Sequence, residues 1–267
     1  MDENIRKKKE KIAIVGLGKV GTSLAKLAVQ ADYNFLGGFG RNREKIRDAL
    51  NFVGTGRILE LKECLDADFI FITVPDNYIR EISKRLAAFQ EDLTGKLFVH
   101  CSGLLSSEVL TDLKLKGGLT ASFHIMFPFV NPEFSSKYLK GSYVAIEGEA
   151  KELLFRFALD LSLKPFEINP SIKAFHHLAC VLSSGMLLSL LSYTEEMIKE
   201  SSNPFDAYIE LAEKALKAAR EYPLSEAITG PWKRGDENTI KSHLAIFKQP
   251  ELYRLLLKRI EELFQKQ

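Results

Sequence analysis

Cysteine is scarce in this sequence. Cys64, Cys101 and Cys180 are the only three in 267 residues, widely spaced and with no CxxC pair. An odd, scattered set excludes a disulfide framework and offers no zinc-ligand spacing, so a reducing, cytoplasmic setting is expected. Charge of one sign is lacking too: 37 Lys and Arg against 35 Asp and Glu leave a net charge of +2. That balance gives no reason to expect a nucleic-acid partner. The one basic run, Arg6-Lys7-Lys8-Lys9, meets Glu10 at once and reads as a solvated tail before the first strand. No apolar signal core follows it. The most apolar stretch, Leu178–Leu191, is broken by Ser183, Ser184, Gly185 and Ser189. It is short for a bilayer and reads as a buried or interface helix, with no membrane expected. Hydrophobic residues nevertheless make up 46% of the chain, enough for a full globular core.

From Lys11 to about Glu167, strand-like and helix-like segments alternate. KIAIVGL, NFLGGF, DADFIFITV and KLFVHCS are β-branched or aromatic runs, and TSLAKLAVQA, REKIRDALNFV, YIREISKRLAAF and SSEVLTDLKL carry helical apolar spacing. LTASFHI and SYVAIEG extend the strands, and KELLFRFALDL adds a helix. This pattern implies an α/β, Rossmann-type domain with a parallel sheet over residues 1–168. After Glu167 the strands stop. Asn169-Pro170 and Asn203-Pro204 read as helix starts, Pro223 as a stop, Asp236 as an N-cap, and Glu251–Gln265 as a last helix. Residues 169–267 are therefore expected to form an all-α domain.

Gly16-Leu17-Gly18-Lys19-Val20-Gly21 stands where the first strand meets the first helix. In that position the three glycines allow a tight turn, a close approach of pyrophosphate to the backbone, and close packing of helix on strand. The diphosphate of a dinucleotide would rest on the helix N-terminus. The second strand ends Gly38-Phe39-Gly40-Arg41-Asn42-Arg43, with no carboxylate before Glu44. Guanidinium groups at this place suit a 2′-phosphate, so NADP is expected rather than NAD, with Arg41 favoured over Arg43. Val74 and Pro75, at the end of the DADFIFITV strand, would wall the nicotinamide ribose. Ser102 and Gly103, after KLFVHCS, would border the substrate side. Cys101 reads as a packing residue.

A bound dinucleotide brings its own hydride chemistry, so the protein has to orient a carbonyl, supply a proton and bind the substrate's charge. Three places could do so. His124 follows a strand in SFHIMFPF. His177 sits on the long helix with Val181 and Ser184 on its face, while His176 shares another with Cys180 and Ser183. Arg234 lies in the loop GPWKRGD. Each has a plainer reading, as a hydrogen-bonded core histidine or as a cation paired with Asp236. Metal ligation is not expected, because adjacent histidines diverge on a helix and no carboxylate stands at ligand spacing.

GLGKVG, TVPD, HCSG, the FH of SFHIMFPF, FHHLACVLSS and above all TGPWKRGDENTIKSHL resemble one two-domain family. Its members are Rossmann-like NAD(P)-binding proteins with a helical C-terminal domain of unknown function. They are relatives of ketopantoate reductase, the β-hydroxyacid dehydrogenases and the deazaflavin-dependent NADP reductases. The most specific part is the pattern Thr229, Gly230, Pro231, Arg234, Gly235, Asp236, Thr239 and His243. The resemblance implies an NADPH-dependent oxidoreductase acting on a small 2-oxo acid like ketopantoate. It also implies that the GPWKRGD loop faces the nicotinamide, with Arg234 on the substrate acid, and that the chain forms a homodimer through the long helix. Two positions depart from the family pattern. Ile125 replaces the proline that usually follows His124, and Gly185 replaces the asparagine that usually follows Ser184. The second departure motivates the alternative of a catalytically silent NADP-binding sensor or regulatory protein.

Overall fold

A computed structural model describes residues 9–199 and 201–265. Most of the basic run, Arg6 to Lys8, lies outside the described residues, as does Glu200 at the expected end of the long helix. Lys9 is not a solvated tail residue. Its ammonium donates to the Ala31 carbonyl at 2.8 Å, pairs with Asp160 at 3.0 Å and lies 4.6 Å over the Tyr33 ring.

The first half builds one eight-stranded sheet. The strands are β1 (Lys11–Val15), β2 (Asn34–Phe39), β3 (Arg57–Ile58), β4 (Phe69–Ile72), β5 (Leu97–His100), β6 (Leu119–Ile125), β7 (Tyr143–Gly148) and β8 (Lys164–Glu167). Their order across the sheet is β3-β2-β1-β4-β5-β6-β7-β8. Helices α1 (Lys19–Gln30), α2 (Arg43–Val53), α3 (Asp76–Ala87), α4 (Thr111–Lys114), α5 (Pro132–Tyr138) and α6 (Lys151–Asp160) connect them. The sheet is parallel except where β7 runs antiparallel to β6. The expected parallel extension through SYVAIEG is corrected at that point, and β3, β8 and α5 are elements the apolar pattern did not announce. Both faces are sealed, as a doubly covered sheet requires. Phe71, Phe123 and Phe157 meet on one side, with Phe71 and Phe157 stacked at 5.2 Å, while Ile70, Ile72, Phe98 and Leu86 pack on the other.

Beyond β8 the chain is helical, with α7 (Lys173–Val181), a widened π-type turn (Leu182–Met186), α8 (Leu187–Ile198), α9 (Phe205–Glu221), α10 (Leu224–Ala227), α11 (Glu237–Ile246) and α12 (Pro250–Gln265). Asn169 caps the start of this region by accepting from the Ser171 amide at 2.9 Å. Asn203 does not repeat that device. No side chain caps α9, and the Asn203 amide instead donates to the Tyr208 hydroxyl at 3.3 Å. Asp236 caps α11 as expected, accepting from the Thr239 amide and hydroxyl at 3.1 and 2.7 Å. The chain divides into two compact units between Gly185 and Met186, inside the long helix. The division falls there because α7 is anchored on the sheet through Lys173. Pro170–Ile198 runs as one helical segment of 29 residues with mean hydropathy 1.6 in its most apolar stretch. By length and composition this whole segment could cross a bilayer, being longer than the apolar stretch Leu178–Leu191 read from the sequence. That test is weak, since core helices of soluble proteins pass it.

Candidate functional site

The glycine turn forms as its spacing requires. Gly16 holds φ +102°, a conformation that side-chain-bearing residues rarely adopt, and its carbonyl accepts from the Thr73 hydroxyl at 2.5 Å. A Cβ on Gly21 would collide with the Gly16 carbonyl oxygen and the Thr73 hydroxyl, so this glycine permits the helix-on-strand contact. A Cβ on Gly18 would meet no protein atom within 4 Å. Gly18 caps α1 with no side-chain hydrogen bond, and α1 has no acidic residue in its first turn. The amides of Lys19, Val20 and Gly21, in the first turn of α1, therefore have no side-chain cap. This cradle suits a diphosphate.

An open cavity of about 420 Å³ extends from that turn. Gly16, Leu17, Gly18, Arg41, Asn42, Val74 and Pro75, all named from the sequence as cofactor-binding candidates, line it. Arg41 lies there with its guanidinium 5.0 Å over the Tyr78 ring, without an ion pair among the described residues. Arg43 turns elsewhere and bridges Glu60 at 2.9 Å, both side chains being 68% exposed. Asn42 spends its side chain on the α2 cap, accepting from the Lys45 amide at 3.0 Å. Lys45 and Arg85 also line the cavity and were missed by the sequence reading; Lys45 falls three residues past the N-cap, on the first turn of α2.

A second cluster lies at the carboxyl edge of the sheet. Asp76, the first residue of α3 after Pro75, accepts from the Ser102 hydroxyl at 2.7 Å. That same hydroxyl accepts from the amides of Leu104 and Leu105 at 3.1 and 3.0 Å, so Ser102 shapes the loop after β5. Gly103 follows. A Cβ there would meet the His124 ring at 2.7 Å and His177 at 2.8 Å. The structure thus gathers His124 and His177, which the sequence placed far apart, beside the adjacent pair Ser102 and Gly103. The His124 and His177 ring centroids are 6.1 Å apart. Burial, then His176 and Lys173, hold His124 down at about 4, so its imidazole is neutral at physiological pH. His100 is buried, accepts from the Ser102 amide on Nδ1 and is lowered to about 3, chiefly by burial. Burial pushes the Cys101 thiol up to about 12, in keeping with a packing role.

Lys173 is the residue that the sequence reading missed altogether. Only 1% exposed, it donates to the Ser122 hydroxyl at 2.7 Å and the Ser102 carbonyl at 3.2 Å. Burial lowers its pKa, while Glu147, Cys101 and Asp76 oppose that shift. Buried Glu147 stands opposite Ser122 across β6 and β7 and accepts from the Ser107 amide and hydroxyl at 2.6 and 2.9 Å. A signal for Lys173 existed, since it precedes His177 by four residues and so shares its helix face.

Ser184 does not join this cluster by hydrogen bonding. It is exposed and donates to the Cys180 carbonyl at 2.6 Å. It also lies in the widened turn, where α-helical counting from His177 loses register. In the second unit, Arg234 ends an exposed 3₁₀ turn, Pro231–Arg234, closed by left-handed Gly235. It forms no ion pair among the described residues. Asp236 is lowered mainly by its Thr239 hydrogen bonds, with a smaller coulombic effect from Arg234. His243 meets the Tyr253 hydroxyl at 2.7 Å.

Residues 11–103 match the family described as NADP oxidoreductase, coenzyme F420-dependent. Residues 142–260 match a domain of unknown function, DUF2520. No curated protein matches the chain in sequence. Among solved structures, a provisionally named NADP oxidoreductase from Bacteroides fragilis is 23% identical with a TM-score of 0.81, covering 96% of this chain and 99% of its own. A protein from Thermotoga maritima is also 23% identical, with a TM-score of 0.69 and coverage of 96% and 98%. A reductive aminase from Aspergillus terreus, solved with NADPH and ethyl-5-oxohexanoate, is 15% identical with a TM-score of 0.70, covering 97% and 94%. At these identities the likeness is one of fold.

Proposed function

We propose that this chain, an NADP-dependent oxidoreductase that joins a coenzyme F420-dependent NADP oxidoreductase domain to a DUF2520 domain, reduces the carbonyl of a small 2-oxo acid, a ketopantoate-like compound being the favoured class. One observation carries the reading: Pro75 lines the cavity at the glycine cradle, Asp76 beside it accepts from the Ser102 hydroxyl, and Gly103 follows with the His124 and His177 rings close against it. Bound NADPH supplies the hydride. The chain's own tasks are then to hold the diphosphate on the first-turn amides of α1 and the 2′-phosphate at Arg41, and to seat the substrate beside Gly103. His177 or His124 lies near the carbonyl in this reading. The buried Lys173 ammonium adds positive potential behind the edge, where negative charge grows on the oxygen as hydride arrives. Arg234 is assigned to the substrate carboxylate, supported by its exposed guanidinium on a turn fixed by Pro231 and Gly235.

The test is NADPH oxidation with a panel of 2-oxo acids, imines and a deazaflavin. Turnover of an oxo acid is expected, with Arg234→Ala raising its KM about tenfold at unchanged NADPH affinity. Unchanged kinetics in that variant would remove Arg234 from the site. Ser184 favours the second reading, a silent NADP-binding sensor or regulatory protein. Its hydroxyl is spent on Cys180, and Gly185 follows where relatives carry a hydrogen-bonding amide. NADPH binding without consumption across the whole panel would support that alternative.

We also propose a cytoplasmic homodimer paired through the long helix. The support is the apolar surface this helix leaves uncovered in a single chain, with Phe175 75%, Leu182 57% and Leu188 60% exposed.

A further inference from the structure

His124 and His176 present ring nitrogens to each other: Nδ1 of His124 lies 3.0 Å from Nε2 of His176. The Cys180 sulfur stands 3.7 Å from that same Nε2, and all three ligand atoms lie within 4.8 Å of one another. The rings of the two histidines are perpendicular, at 89°. The sequence reading dismissed metal because His176 and His177 diverge. That divergence is real, but the partners of His176 are different residues. Cys180 follows one helical turn later on the same face, and β6 supplies His124 from across the site. We propose that His124, His176 and Cys180 form a binding site for a zinc-class divalent cation.

The donor set and its spacing both favour this. Tetrahedral zinc with Zn–N of about 2.0–2.1 Å and Zn–S of about 2.3 Å needs N–N near 3.3 Å and N–S near 3.6 Å. The two pairs that share His176 differ from those separations by a few tenths of an ångström or less, and the His124–Cys180 pair lies within 4.8 Å. Two imidazoles and a thiolate select a borderline-soft ion and disfavour magnesium and calcium, which require oxygen ligands. The ligands sit on rigid elements, a central strand and one face of α7, and the Phe166 ring stands 6.0 Å from the His176 ring. Lys173 opposes a cation here, but its ammonium is tethered away to Ser122 and Ser102. Binding also releases the Cys180 proton, so a thiolate charge enters the site with the metal. A fourth position stays open for water or a substrate heteroatom. With the metal on Nδ1, His124 carries its proton on Nε2, the ring nitrogen nearest the position of a Gly103 Cβ.

The site stands on these three ligand atoms and is independent of the substrate assigned above. The test is Co(II) titration of the chelator-treated, full-length protein, followed by Zn(II) competition. One ion per chain and a near-ultraviolet thiolate-to-cobalt charge-transfer band are expected. Cys180→Ser should abolish the band, and both it and His176→Ala should weaken Zn(II) binding at least about tenfold. Near-ultraviolet circular dichroism checks that both variants remain folded. A wild-type titration without the band, or Zn(II) affinity unchanged in Cys180→Ser, would overturn the site and leave a plain histidine–histidine hydrogen bond.

Discussion

The two units of this chain treat their apolar side chains differently. In the first, Ile12, Ile14, Phe71, Phe98 and Phe123 are completely buried, within core clusters on the two faces of the sheet. In the second, no described side chain from Met186 to Phe264 is buried, although α8 and α12 are rich in leucine. The helical unit has an apolar cavity of about 290 Å³ among Leu190, Tyr193, Met197, Ile246, Phe247 and Leu256, but nothing that amounts to a sealed core. The sheet unit is thus complete within one chain. The helical unit is amphipathic in its parts and uncovered as a whole, which is the character of a surface that pairs.

The strongest way to sharpen this contrast is to spoil the cradle of the complete unit without disturbing its fold. Gly18→Glu adds a carboxylate through a Cβ that would meet no protein atom within 4 Å, so the melting temperature should hold. NADPH binding should fall by at least about 100-fold, because the new anion competes with the diphosphate for the α1 amides. Calorimetry checks the affinity, and retained binding would move the cofactor away from this turn. The incomplete unit should respond in the opposite way. Leu188→Glu, at an exposed position in the first turn of α8, should convert the proposed dimer to monomer in sedimentation and lower the melting temperature by roughly 5 °C.

A gentler dependence is expected on pH, confined to the complete unit. Unfolded histidines take up protons near pH 6.5, whereas folded His124 and His100 do so only near 4 and 3, held down mainly by burial. Between those values the unfolded state binds more protons, so stability is full above about 6.5 and falls as pH drops toward 4 and below. Melting curves from pH 7 to 4 measure it, and His124→Asn should flatten the slope. The smallest contrast lies between two arginines. Arg41→Ala should weaken NADPH about tenfold and leave NADH unchanged. Arg43→Ala breaks only an exposed pair with Glu60 and should change affinity and stability by less than about 0.5 kcal/mol.

Much of the complete unit was legible because its signals are local. The glycine turn, the Asn169 cap and the alternation of strands and helices depend on neighbours in sequence, as does the Asp236 cap in the helical unit. β3 and β8 were not, since two to four residues carry too little periodicity to read. The antiparallel β6–β7 pair was hidden for another reason: strand direction depends on how the chain returns, which residue pattern does not record. At the site, Gly103, His124 and His177 were named separately, but their convergence is a property of the sheet edge. Lys173 escaped notice because an isolated lysine at a helix start ordinarily reads as solvated, and only the fold buries it against Ser122. The contact of His124 with His176 joins a strand to a helix 52 residues later, beyond the reach of any helical periodicity.

A crystal structure with NADPH bound tests the central claim most directly. The account predicts the nicotinamide C4 beside Gly103, within van der Waals reach of His124 or His177, and the 2′-phosphate on Arg41. A nicotinamide directed away from that histidine-lined edge, with Gly103 facing only solvent, would contradict it.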